Sequence, residues 1–321
     1  MNTSFIFFLF ASIFTINSSA QILGINKPLF SDLPFFNVDF IKANSISTIT
    51  GAISSKKVGD IIRSTHLDYH YEFMENGKLK TQISSHFSQG LKDSTLVSYY
   101  YYSNGNLAVK RKSDSYGYFS YHYKYDELNN IITQTYCRDE NKFKRKNKFE
   151  LKKEYFILTD SFSYKKYNDR QSEKVFYNCY GKKFKTQTNY FDEFGYLKEE
   201  YTKFIIGTNK KKLTYTYDEY GRVFKKHIYS NIARGKKTTE VYSYDEIGNV
   251  LEIQYFNIDT HISTKQFLYD KTTMLLSAII IQEMETELLR IIKYSYTFFN
   301  TPKNYRKLNN STDSINLEGT K

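Results

Sequence analysis

Short runs in which aromatic and polar residues alternate recur along this chain, and the clearest of them end in an aspartate with a glycine three positions later. The clearest are YTYDEYGRV at 215–223 and YSYDEIGNV at 242–250. Tyr215 and Tyr217 are two positions apart, so on a β-strand both side chains lie on one face of the sheet. The alternation therefore predicts strands with one aromatic face.

The residues that follow the alternation predict a tight turn. The Asp218 carboxylate can accept hydrogen bonds from backbone N–H groups just ahead of it, as Asp does in type I turns. Gly221 can take the left-handed conformation of a bulged hairpin turn. With that bulge, Tyr217 should lie opposite Val223 on the returning strand. Each run is thus a β-hairpin signal.

The glycine of the run, or the Asn or Thr that replaces it, recurs about every 26 residues, with one longer step between Asn129 and Asn168. We call these positions the repeat marks: Gly77, Gly105, Asn129, Asn168, Gly195, Gly221, Gly248, Thr273 and Asn300. The residues predicted to shape the turns are Gly77, Gly105, Asp126, Asn129, Asn168, Asp192, Gly195, Asp218, Gly221, Asp245 and Gly248.

The predicted fold is all-β. Two strands per repeat give an antiparallel meander of hairpins with roughly 16 to 20 strands, and open twisted sheets of that size curl. We therefore expect an open arc or partial shell whose concave or packed face carries the aromatic residues. Aromatic-rich composition (Tyr 31, Phe 26) suits strands, and only three prolines argue against a disordered chain.

The segment 274–294 leaves an alternative open. Leu276, Ile280, Met284 and Leu288 fall at helical spacing, whereas the repeat register requires a hairpin with METE as its turn. We predict strands here.

The repeats divide the chain. Residues 1–20 contain no charged side chain and carry an apolar run followed by Ser18, Ser19 and Ala20. That pattern predicts a signal peptide cleaved near Ala20–Gln21, and hence a secreted, periplasmic or cell-surface protein without a membrane span in its mature form. Residues 21–60 should form a cap and the first strands, including one over 45–54. The repeat domain is expected over 61–300, and 301–321 should be a polar, frayed tail.

YTYDEYGRV, YSYDEIGNV, YKYDELNNI (123–131) and YFDEFGYL (190–197) resemble the YD repeats of Rhs proteins, which also occur in teneurins. The resemblance covers about residues 65–300, and only part of the copies keep the full Tyr-Asp-Gly signature. It implies hairpins that spiral into a hollow shell, which in Rhs toxins encloses a C-terminal effector. Nine copies are few for such a shell, and the residues after Asn300 are too few for a toxin domain. The resemblance thus implies a short secreted bacterial form without one.

The formal net charge of +12 favours anionic partners. Basic residues cluster about 15 residues past the repeat marks, where the opposite turn of each repeat should lie. We predict one basic and one acidic rim, and an anion-binding site at Lys144, Arg145, Lys146, Lys183, Lys210, Lys211, Lys212, Lys236 and Lys237. The alternative is that these lysines keep loops soluble.

The sequence contains one candidate metal site and one candidate disulfide. In HLDYH, the side chains of His66, Asp68 and His70 should share a strand face and could converge on Zn or Cu. Cys137 and Cys179 are the only cysteines. They belong to consecutive repeats, so a disulfide between them depends on the long step to bring them together.

No common catalytic motif is present, and neither a catalytic residue nor a cofactor is predicted. We expect a non-enzymatic scaffold for adhesion or binding, with an anionic polysaccharide or another envelope protein as partner; nucleic acid is disfavoured in an exported protein. A glycan-active envelope enzyme with carboxylates on the concave aromatic face is one alternative. A cargo- or partner-binding fragment of an Rhs-like system is another. The sequence leaves the ligand and the oligomeric state open.

Overall fold

The computed structural model describes residues 21–23, 36–114, 117–143 and 149–299. Within these residues, eighteen strands form one sheet, so the predicted number of strands is confirmed. The strands are β1 (Ile46–Lys56), β2 (Arg63–Phe73), β3 (Leu79–Ser88), β4 (Leu91–Tyr101), β5 (Leu107–Asp114), β6 (Gly117–Tyr125), β7 (Ile131–Asn141), β8 (Leu151–Asn168), β9 (Gln171–Tyr177), β10 (Lys183–Phe191), β11 (Leu197–Phe204), β12 (Lys210–Tyr217), β13 (Val223–Asn231), β14 (Lys236–Tyr244), β15 (Val250–Asn257), β16 (Thr260–Tyr269), β17 (Leu276–Glu283) and β18 (Leu289–Phe298).

A short helix, α1 (Val38–Ala43), precedes the sheet, and a 3-10 turn (Ile232–Arg234) joins β13 to β14. The Asn37 side chain caps α1 by accepting hydrogen bonds from the N–H groups of Asp39 (3.1 Å) and Phe40 (3.3 Å). The buried side of α1 carries Phe40 and Ile41.

The open arc or partial shell predicted from the sequence is wrong, because the sheet closes into an antiparallel barrel. Each strand pairs with its neighbours in the chain, and β1 pairs with both β2 and β18. The repeat pattern in the sequence begins at Gly77, after β1, so it does not indicate that β1 pairs with a strand at the other end of the chain. That pairing supplies the closing ladder and removes both sheet edges, which would otherwise expose unpaired backbone groups.

The closing seam depends on a glycine. Gly51 on β1 lies opposite Tyr294 on β18. A Cβ atom at Gly51 would lie 2.9 Å from Ile292 Cγ2 and 2.9 Å from Tyr294 Cε1. The missing side chain leaves room for the Tyr294 ring on the seam.

The turns alternate between the two ends of the barrel. The repeat marks from Gly77 to Thr273 all lie in turns at one end, which we call the marked rim. Gly195, Gly221 and Gly248 occupy equivalent corners there, after β10, β12 and β14. The turns that follow odd-numbered strands lie at the other end, the opposite rim.

The apolar core lies on the concave face near the marked rim. Ile22, Ile41, Ile46 and Ile49 are at most 1% exposed. The Phe36 ring packs edge-on against Tyr71 and Phe73, with centroid distances of 4.8 and 5.3 Å. Residues of β1–β5 and β15–β18 join this cluster, so the N-terminal segment and α1 cover one side of the barrel interior.

The segment 274–294 forms strands, as predicted. β17 ends at Glu283, whose N–H donates to Leu288 O at 3.0 Å, and β18 begins at Leu289. The predicted strand over 45–54 corresponds to β1. The predicted signal peptide at 1–20, the mark Asn300 and the predicted tail at 301–321 lie outside the described residues.

Candidate functional site

The Asp-Gly turns follow one hydrogen-bond pattern. At the β12–β13 turn, Asp218 N–H donates to Arg222 O (2.9 Å) and Gly221 N–H to Asp218 O (3.0 Å). The Asp218 carboxylate accepts from the N–H groups of Tyr220 (3.0 Å) and Arg222 (2.8 Å). Gly221 has φ +74°, and Tyr217 pairs with Val223, as the sequence predicts.

Equivalent backbone bonds occur at the turns marked by Gly77, Gly105, Asn129, Gly195 and Gly248. Asp126, Asp192 and Asp245 accept from N–H groups two and four residues ahead, as Asp218 does. Two marks differ. Asn168 accepts from Arg170 N–H in a shorter turn, and Met274 rather than Thr273 has the left-handed φ of +58°.

Tyrosine hydroxyls link successive hairpins at the marked rim. The Tyr217 hydroxyl donates to Leu197 O at 2.6 Å, and the Tyr244 hydroxyl to Val223 O at 2.7 Å. The tyrosine four residues before a mark thus bonds a carbonyl just after the preceding mark. Five further bonds of this kind run from Tyr101 to Leu79, Tyr125 to Leu107, Tyr164 to Ile131, Tyr269 to Val250 and Tyr296 to Leu276.

Sequence reasoning assigned these tyrosines to packing and missed their hydroxyls. The available signal was the preference for Tyr over Phe four residues before a mark, where Phe73 and Phe191 are the exceptions. Burial raises the pKa of Tyr217 and of Tyr244 to about 12, so both hydroxyls stay protonated and able to donate.

The predicted basic cluster Lys210–Lys212 divides between two faces of the sheet. Successive residues of β12 point to opposite faces, and directly paired residues share a face. Lys211 pairs with Thr202, and Tyr215, on the same face of β12, pairs with Lys226. Lys210 and Lys212 point outward, and Lys212 Nζ lies 2.8 Å from Glu199 Oε2.

The face that carries Lys211 is the concave one. Lys226 pairs with Glu240, which lies two residues before Tyr242, and Tyr242 packs against the interior apolar cluster. Lys226 Nζ lies 3.1 Å from Glu240 Oε2, and the Tyr242 hydroxyl donates to the same carboxylate oxygen at 2.5 Å. Lysines, carboxylates and tyrosines therefore share the interior surface.

Glu200 is central to this surface. It pairs with Leu213 on β12 and Asn189 on β10. Burial raises the pKa of the Glu200 carboxyl, while the charges of Lys211, Lys226 and Lys185 and a hydrogen bond from Gln187 act to lower it. Three lysines therefore lie close enough to act on one carboxyl. We call Lys174, Lys185, Glu200, Lys211 and Lys226 the basic wall.

Aromatic rings lie beside the lysines of the wall. Lys174 Nζ lies 4.1 Å from the centroid of Phe162 and 4.9 Å from that of Phe176. Lys185 Nζ lies 3.7 Å from the Phe176 centroid. Such cation–π contacts hold the ammonium groups among apolar surface. Burial also raises the pKa of Asp160, on which Lys185 acts in the opposite direction.

The other residues predicted to bind anions lie away from the cluster Lys210–Lys212. Lys183 and Lys236 begin β10 and β14 at the opposite rim, and Lys237 follows on β14. Lys237 acts on His227, whose pKa is lowered by burial and by the charges of Lys237 and Lys225. Lys144, Arg145 and Lys146 lie outside the described residues.

The structure does not bring the HLDYH residues together as a metal-ligand group. His66 has a left-handed φ of +57° in a register shift of β2, which breaks the alternation needed to align it with Asp68 and His70. His70 Nδ1 contacts Thr50 Oγ1 at 3.1 Å, and Asp68 forms an ion pair with Lys92 at 3.3 Å.

The two cysteines are not joined by a disulfide. Cys137 is buried on β7, whereas Cys179 is exposed in the β9–β10 turn at the opposite rim. The long step between Asn129 and Asn168 lengthens β8 and extends the β7–β8 hairpin, so it does not bring the two thiols together.

Comparisons with known proteins give distant likenesses. No protein-family model and no curated protein matches the chain. A porin-like protein from Bacteroides uniformis is 12% identical, with 79% of this chain and 97% of that chain covered and a TM-score of 0.39. The Tc holotoxin pore of Photorhabdus luminescens is 15% identical over 74% of this chain and 12% of that chain, with a TM-score of 0.29. A LolA superfamily protein from Nitrosomonas europaea is 10% identical over 83% and 94%, with a TM-score of 0.19. These values assign neither a family nor an activity.

Among the described residues, no helix is long and apolar enough to cross a membrane.

Proposed function

We propose that this protein is an exported, YD-like β-repeat scaffold that binds an anionic, hydroxyl-rich ligand, the chemistry of acidic glycans, on its basic wall. The observation that carries the proposal is the grouping of Lys185, Lys211 and Lys226 around Glu200 on the concave face.

The chemistry of the wall suits such a ligand. Ammonium groups can pair with carboxylates or sulfates of a polysaccharide through charge-assisted hydrogen bonds. The partly exposed ring of Phe176, beside Lys185, offers apolar surface for the faces of sugar rings, whereas Phe162 and Lys174 are buried beneath it. Lys183 and Lys210 lie at the rim above Lys185 and Lys211, so basic residues continue from the opposite rim onto the wall.

The test is a binding titration with a heparin-like polymer by calorimetry. Lys211→Gln should weaken binding at least about tenfold, because a hydrogen bond to a charged group contributes about 1.5–3 kcal/mol. Lys212→Gln is the matched control, since it removes the neighbouring charge on the outer face. Added salt should weaken wild-type binding.

Equal losses in the Lys211→Gln and Lys212→Gln variants would place binding on the rim or the outer surface and contradict the proposal. A wild-type protein that binds no acidic polymer would also contradict it.

A glycan-active enzyme is a second candidate, favoured by Glu200 itself. A half-buried carboxyl with a raised pKa is the kind of group that a glycosidase uses as its general acid. Chromatography of oligosaccharide products after incubation with any bound glycan decides this point. Turnover that Glu200→Gln abolishes would support the enzyme, whereas saturable binding without products would contradict it.

A further inference from the structure

A histidine, a thiol and a carboxylate from three consecutive strands meet on the outer face of the barrel. His122 lies on β6, Cys137 on β7 and Glu154 on β8. One ligand atom from each lies within 4.8 Å of the other two. His122 Nε2 lies 2.9 Å from Glu154 Oε2. We propose that these three side chains form a binding site for a zinc-class divalent cation.

The donor set matches the cation. Zinc takes imidazole nitrogen, thiolate sulfur and carboxylate oxygen at about 2.0–2.3 Å, with tetrahedral geometry. Ligand atoms around such an ion are about 3.3–3.8 Å apart, so the His122 and Glu154 atoms, which lie 2.9 Å apart, need to separate by about 0.5 Å. The Cys137 sulfur, which lies within 4.8 Å of both, needs to approach them by about 1 Å. Three protein ligands leave the fourth position to water or a small ligand.

The surroundings position the imidazole and keep one side open. Ser120 Oγ lies 3.1 Å from His122 Nε2 and donates to Asp139 Oδ1 at 2.9 Å. The Asp139 carboxylate in turn accepts from Arg111 Nε at 2.5 Å. These contacts hold the imidazole ring with Nε2 directed toward Glu154. The side chains of His122 and Glu154 are 32% and 34% exposed, so an ion can reach the buried Cys137 thiol from solvent.

The local charge also suits a cation. The Glu154 carboxylate oxygen lies within 4.8 Å of the Cys137 sulfur and supplies negative charge at the site. On binding, the Cys137 S–H bond breaks, its proton passes to solvent and a sulfur–metal bond forms without change of oxidation state.

The test uses purified protein titrated with Zn²⁺ alone by calorimetry, and with Co²⁺ alone by absorption spectroscopy. Wild type should bind one zinc ion per chain, and Co²⁺ should give a thiolate-to-metal charge-transfer band. Cys137→Ser should abolish that band and weaken zinc binding at least about tenfold. Cys179→Ser, which removes the exposed thiol, should match the wild type in both measurements.

Glu154→Gln changes a partly exposed position and keeps the side-chain volume, so it tests the site without emptying a buried position. It should weaken zinc binding about tenfold or more while leaving the circular dichroism spectrum unchanged. Equal zinc affinity in wild type, Cys137→Ser and Glu154→Gln would overturn the proposal, as would a wild type that binds no zinc.

Discussion

At the scale of single residues, each hairpin turn makes contacts within itself and a contact to the preceding hairpin. Only the contacts within the turn can be predicted from the local sequence. The Asp and Gly of each turn act on their own backbone, so a nine-residue window is enough to predict Tyr217 opposite Val223. The hydroxyl of Tyr217 acts on the preceding hairpin, at Leu197 O. That contact joins residues far apart in the chain and cannot be read from a local window.

Replacing Tyr217 by Phe should test this inter-hairpin bond. The ring stays in place while the hydroxyl is lost, so the free energy of unfolding should fall by about 1 kcal/mol. Tyr220→Phe is the control, because Tyr220 is 72% exposed and its ring can still contact Arg222. Urea unfolding followed by circular dichroism measures both. Equal stability of the Tyr217→Phe variant and the wild type would contradict a stabilising role for the hydroxyl.

At the scale of elements, strand number and alternation could be predicted, whereas the grouping of side chains between strands could not. Lys210–Lys212 form one cluster in the sequence, but alternation on β12 directs Lys211 inward and its neighbours outward. His122 and Cys137 lie at nearly equal distances from the mark Asn129. Hairpin symmetry about that mark could have brought them together, but only the structure adds Glu154 from β8.

The turn glycines should differ in their tolerance of a side chain according to what faces them. Gly77 has φ +83°, and a Cβ there would lie 2.2 Å from Val38 O in α1. Gly195 has φ +84° with nothing within 4 Å. Both substitutions to Ala incur left-handed strain of about 1–2 kcal/mol, but Gly77→Ala must also displace the helix backbone.

Gly77→Ala should therefore lower the free energy of unfolding by about 1–3 kcal/mol more than Gly195→Ala does. Chemical denaturation of the two variants side by side measures the difference. If the two variants lose the same stability, α1 does not pack against the marked rim in the way described.

At the scale of the whole molecule, closure of the barrel places the basic wall on an enclosed interior surface. An open sheet would present Lys211 and Lys226 on an accessible curved surface, whereas a closed one encloses them with Glu200 and the aromatic rings. The sequence predicts the curl of the sheet from its strand number. It does not predict closure, because pairing of β1 with β18 depends on the summed twist of all the intervening strands and on the space left by Gly51.

The most direct test of the account is oxidative cross-linking across the closing seam. Ala52 on β1 lies directly opposite Lys293 on β18, and paired residues in antiparallel strands have Cβ atoms about 4.5–5.5 Å apart. In a Cys179→Ser background, the double variant Ala52→Cys/Lys293→Cys should form an intramolecular disulfide, seen as a mass loss of two hydrogens in the monomer. Ala52→Cys/Lys203→Cys, which joins β1 to the distant strand β11, should not form one. Failure of the seam pair to cross-link within a folded monomer, or cross-linking only between molecules, would contradict the closed barrel.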